Sequence, residues 1–150
     1  MSSVHVRSSF KTFLATNVPS ETVIDLTAQF DDIRDLLDEA GIGMGDAWLG
    51  IDFQADDEIP ISIAAGNNQG VYRESGVVQI HIVDVAKLGI GDSLLARAEV
   101  LRDLLRGIRI NDIRIESVTP PSFAQGTTLE FESGFMSCTI MISYEYDKNL

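Results

Sequence analysis

Between Met136 and Tyr144 apolar residues recur at every second position. Met136, Cys138, Ile140, Ile142 and Tyr144 alternate with Ser137, Thr139, Met141 and Ser143. A period of two sends the first set to one face of a β-strand and the second set to the other. Such a strand must lie in a sheet whose apolar side is covered, which rules out an all-helical fold. Similar alternation recurs at Val78, Ile80 and Ile82, interleaved with Gln79, His81 and Val83, and at Ile113 and Ile115. Two shorter stretches are read as separate strands: Trp48, Leu49, Ile51 and Phe53, then Ile59, Ile61 and Ile63. Pro60 assigns the latter to a sheet edge.

The cover is legible as well. Leu94, Leu95, Ala98, Leu101, Leu104 and Leu105 recur at the spacing of one helical face. Asp92 or Ser93 is expected to cap this helix, and Arg102 and Arg106 suit the negative end of its dipole before Gly107 closes it. Val6, Phe10, Phe13 and Leu14 predict a helix over Ser3 to Thr16, stopped by Pro19. Ile33, Leu36 and Leu37 predict another from Asp31 to Ala40, with Gly41 at its C-terminal end. The order helix, helix, strands, helix, strands predicts an α+β fold, a mostly antiparallel sheet with helices packed on one face. Nothing resembling a linker interrupts residues 1–150, so a single domain is expected.

Residues that carry chemistry are sparse. Cys138 is the one cysteine, so no internal disulfide can form and a reducing compartment is expected. A nucleophile would need Cys138 paired with His5 or His81. Cys138 shares its strand face with Ile140 and Ile142 and reads as a small buried apolar residue. His81 alternates out of phase with Ile80 and Ile82 and is expected on the opposite face, exposed or at an interface. Two isolated histidines and one cysteine do not make a zinc set, and Asp56-Asp57-Glu58 reads as a solvated turn rather than a calcium loop. Gly89-Ile90-Gly91-Asp92 lacks the third glycine and the lysine of a phosphate loop and reads as a tight strand-to-helix connection. We therefore expect no catalytic centre, no cofactor and no metal.

The net charge is −12, with 23 acids against 11 Lys and Arg. That balance disfavours gripping nucleic acid or docking on an anionic membrane. Met1 to Phe10 has no apolar run of the kind a signal sequence needs.

Several motifs taken in order resemble the tail terminator proteins of long-tailed bacteriophages. They are Trp48-Leu49-Gly50-Ile51-Asp52-Phe53, Arg73-Glu74-Ser75-Gly76 and Val78-Gln79-Ile80-His81-Ile82. The Gly89-x-Gly91 turn, the helix ending Leu101 to Gly107 and the alternating strand Phe135 to Tyr146 extend the resemblance. The chain departs from that pattern at His81 and in the longer, helix-rich segment Thr27 to Gly45. The resemblance implies a virion protein made in the host cytoplasm. Its subunits close into a ring, commonly a hexamer, on the head-proximal end of the tail tube. The implied partners are further copies of itself, the tail-tube protein and a head-completion or neck protein. DNA would pass through the ring without specific binding, and an acidic lumen would repel its phosphates. The glycine- and asparagine-rich stretch from Ala64 to Gly76 is the candidate contact arm, with Gly66, Asn67, Asn68, Gln69, Gly70, Tyr72, Arg73 and Glu74 at the oligomer or tube interface. The alternatives are another neck or tail-tube component or, in a different class, a small host ligand-binding domain or enzyme.

Overall fold

Three strands of 15 residues each set the architecture. A computed structural model describes residues 3–27, 33–43, 45–62, 71–85, 88–123 and 135–149. Helix α1 (Val4–Asn17) leads to β1 (Val23–Asp25), the short α2 (Ile33–Glu39) and then the long strands β2 (Trp48–Ser62) and β3 (Val71–Val85). Helix α3 (Ile90–Leu105), β4 (Arg109–Ile110), β5 (Ile113–Val118), β6 (Ser122–Phe123) and the long β7 (Phe135–Asn149) follow. The sheet runs β1-β2-β3-β7-β5-β4, with β6 pairing β7. Every pairing is antiparallel except the short one between β1 and β2. The expected α+β fold with its mostly antiparallel sheet is therefore the observed one, except that α2 packs on the face opposite α1 and α3.

Alternation decides what the sheet buries. Leu49, Ile51 and Phe53 of β2, Val78, Ile80 and Ile82 of β3, and Cys138, Ile140, Ile142 and Tyr144 of β7 share one face. Helices α1 and α3 cover that face with Val6, Phe10 and Leu14 and with Leu94, Ala98, Leu101 and Leu105. Phe10 meets the rings of Phe53 and Tyr144 edge-on, an arrangement that adds to the burial of the rings. Arg97 of α3 grips Glu21 at 2.6 Å and donates to the Val83 carbonyl, tying the helix to the turn ahead of β1. A second, smaller cluster lies on the other face, where Leu37 of α2 packs with Ile24, Ile42, Trp48 and Val83.

The structure corrects four local readings. Helix α3 begins at Ile90, behind Gly89 at φ 80°. The positive φ available to glycine turns the chain into the helix, and Asp92 serves the first turn instead of capping it. The two short strands from Trp48 and from Ile59 are one strand. Register shifts at Ala55/Asp57 and Pro60/Ser62 absorb the residues that break the alternation. Asp56, Asp57 and Glu58 are consequently exposed strand residues and do not form a turn. Finally, Val71 to Gly76 belong to β3, so the stretch read as a loop from Ala64 to Gly76 is strand over its second half.

Candidate assembly surface

The same alternation composes the second face of the sheet from polar residues. Near α2 that face is closed. His81 pairs with Gly50, and a Cβ at Gly50 would run into Leu26 and the Trp48 ring, so there is little space beside the imidazole. His81 is fully buried, contrary to the expectation of an exposed or interface histidine, and its Nδ1 lies 2.8 Å from Thr139 Oγ1. Burial pushes its pKa below the ordinary 6.5, against a weaker upward pull from Asp52. Cys138, by contrast, lies on the helix-covered face as expected. Burial raises its thiol to about 11. Cys138 and His81 thus point to opposite sides of the sheet. His5 sits at the far end of α1, stacked on Tyr146 at 4.7 Å and 2.6 Å from Asp112. The structure does not bring the nucleophile candidates together. Among the described residues no three His, Cys, Asp or Glu side chains gather closely enough to hold a metal ion.

Away from α2 the three long strands outrun the core. Among the described side chains the last buried apolar residue toward this end is Phe53 on β2, Val78 on β3 and Tyr144 on β7. Past them runs a polar ribbon. On its second face Arg73 donates to Asp147 from Nε at 2.8 Å and from Nη2 at 3.2 Å, and lies 3.7 Å from Glu145. Arg114 of β5 approaches Glu145 at 2.8 Å, Asp147 at 3.5 Å and Glu116 at 3.8 Å. The hydrogen bond from Arg73 leads a set of arginine contacts that hold the Asp147 carboxyl below its usual range. These half-exposed pairs contribute little to stability singly, yet together they form a ladder of alternating charge.

On the ribbon's other face Glu74 is only 3% exposed. Its carboxylate accepts from the Tyr144 hydroxyl at 2.8 Å and the Ser3 amide at 3.2 Å, and Lys148 Nζ lies 3.2 Å away. Glu74, expected at an interface, is spent inside its own chain, anchoring the ribbon to the start of α1. Tyr72 and Arg73 are half-buried strand residues. Gly66, Asn67, Asn68, Gln69 and Gly70 lie outside the described residues. Sequence reasoning passed over Glu145, Asp147 and Arg114. The spacings Glu145-x-Asp147 and Arg114-x-Glu116 place each pair on one strand face and could have drawn attention to them.

At the opposite corner Asp25 joins β1 to α1 through Arg7 and Lys11. Burial alone would raise this carboxyl, but the hydrogen bonds from Lys11, the Thr27 amide and Arg7 together hold it down at about 2. His81 and Asp25 both release protons more readily in the folded chain than in the unfolded one. Each therefore contributes stability at neutral pH that is lost on acidification. We expect a first decline as pH falls below about 6.5 and a second between about 3.8 and 2. Denaturant midpoints measured across pH should lose the first step in His81→Gln and shrink the second in Asp25→Asn.

No protein-family model and no curated protein matches the sequence. The chain is similar to 13 chains of solved structures. One of them, whose description names no activity, aligns with 100% of this chain and 98% of its own at 20% identity and a TM-score of 0.51. Likeness at that identity carries the fold alone. Among the described residues no helix is long and apolar enough to cross a membrane.

Proposed function

We propose that the chain is a structural subunit that closes into a ring on the head-proximal end of a phage tail tube. The ring would stop tube growth and offer the surface on which the head's neck protein docks. The observation that carries this reading is the ribbon formed by β2, β3 and β7 beyond the core. Ordering a strand costs roughly 1–2 kcal/mol per residue in backbone entropy, and among the described side chains past Phe53, Val78 and Tyr144 only Tyr146 packs against the core to offset that cost. A contact outside the chain would give such a ribbon its use. The resemblance to tail terminators supports the reading, since its motifs from Trp48 to Phe53 cover the inner part of β2 and those from Arg73 to Ile82 run from the ribbon into the core along β3. The charge of −12 suits a channel through which DNA slides unheld. Tyr72 and Arg73 remain the proposed contact residues, with the glycine-rich stretch beside them.

The test has two parts. The mass of the purified chain in solution and negative-stain images should give a closed ring with a central channel. Phage lacking the gene should make tails of uncontrolled length that fail to join heads. Normal tails on normal heads would remove the terminator reading, and a monomer with a ligand-sized cleft would favour the host binding domain or enzyme.

A further inference from the structure

The two long edges of the sheet are unlike, and they are level with one another. Asp57 pairs with Ser75, Ser75 with Glu145, Glu145 with Arg114, and Arg114 with Arg109. A single row across five strands therefore starts at an acid on the β2 edge and ends at two arginines on the β4–β5 edge. Beyond Asp25↔Ile51 the strand β2 has no outer neighbour among the described residues, and β4 ends the sheet on the other side. Asp56, Asp57 and Glu58 line the first edge, all exposed, with Glu58 paired to Lys148 at 2.7 Å. Arg109 and Arg114 pair across β4 and β5 at the second, and Arg106 ends α3 three residues before β4. Of the residues interspersed there, Asp103 pairs with Arg106 and Glu116 with Arg114, and Asp112 lies against His5. That leaves Arg109, which is exposed, as the one of these three arginines outside any ion pair among the described residues.

A closed ring of identical subunits needs two different surfaces that fit each other, because each subunit offers one to the neighbour ahead and the other to the neighbour behind. Edges of opposite charge at one height along the strands meet that requirement. Like edges would repel, which also disfavours a two-fold pairing of either edge with itself. Resting on the ring reading above, we propose that copies of this chain join head to tail, the Asp56-Asp57-Glu58 edge of β2 in one copy against the Arg106 and Arg109 edge of the next. The acidic residues then guard the free strand edge until the correct partner arrives.

Charge reversal tests this in the full chain. One variant carries Asp56→Arg and Asp57→Arg, the other Arg106→Glu and Arg109→Glu. All four side chains are exposed, so both variants should keep the wild-type circular dichroism and melting temperature. Each variant alone should lose the ring peak in size-exclusion chromatography with light scattering, at a concentration where the wild type is fully assembled. Mixed in equal amounts they should regain it, since every contact in an alternating ring again joins opposite charges. Rings that persist in the single variants would overturn the edge assignment while the ring reading stood. A mixture that stays dissociated would overturn it too. A wild type that remains monomeric at every concentration would remove the ring reading itself, and the edge assignment with it.

Discussion

Leu101→Ala is expected to lower the free energy of unfolding by about 2–5 kcal/mol. Leu101 lies in the second half of α3, is 2% exposed and belongs to the core cluster that the helix forms with the central strands. The substitution removes three carbons from a contact among Leu94, Ala98, Leu105 and the β-branched residues of β3 and β7. Branched side chains fixed on a sheet relax little into a void, so the cost includes the cavity as well as the lost transfer energy. Urea or guanidinium melts read it directly. A loss under about 0.5 kcal/mol would mean that the Leu94-to-Leu105 stripe is not what holds α3 on the sheet.

Gly76→Ala should be costly for the opposite reason. A Cβ at this position would collide with the Gln54 carbonyl oxygen and come within 2.8 Å of the Tyr144 hydroxyl and 2.9 Å of Ala55 Cα. Two of these three neighbours are backbone, and the third is held by its bond to Glu74. None is the free end of a flexible chain. The glycine lies opposite the irregular register between Ala55 and Asp57, so the methyl group has to push β2 away from β3 at the root of the ribbon. We expect a loss of about 1–3 kcal/mol. We also expect faster amide exchange in Ala55 to Glu58 than in the inner part of β2. Uniform exchange along β2 together with wild-type stability would show that the strand pair yields at no cost.

How far the sequence could be read depended on whether a signal was local. The 3.6-residue stripe of α3 and the two-residue alternation of β7 are each contained in one segment, and both elements appear where that periodicity places them. Strand β2 was split in two because Asp56-Asp57-Glu58 and Pro60 have poor strand propensity. The continuous pairing with β3 that overrides them is a tertiary fact. Alternation placed His81 on the second face correctly but could not say what covers that face. Its burial depends on Leu26, brought over Gly50 by the pairing of β1 with β2, and on the ring of Trp48 two residues back along β2. The charged ladder was harder still. Arg73 and Asp147 are 74 residues apart, and only register sets them side by side. Glu74 shows the same limit. A glutamate beside a glycine-rich stretch reads as surface until Tyr144, Ser3 and Lys148 are seen to converge on it.

The position of β7 also bears on how the molecule is made. This strand is the last described element in the chain, yet it lies in the interior of the sheet, between β3 on one side and β5 and β6 on the other. During synthesis β2 and β3 can form a hairpin early, but the other edge of β3 has no strand neighbour until β7 has left the ribosome. Contacts between residues so distant in sequence form slowly, since a long loop must close before they return any stabilisation. The nascent chain therefore passes through an interval with the inner edge of β3 unpaired, when it is most open to pairing with another nascent copy. Completion of the fold and protection from misassembly arrive together, with the docking of one strand.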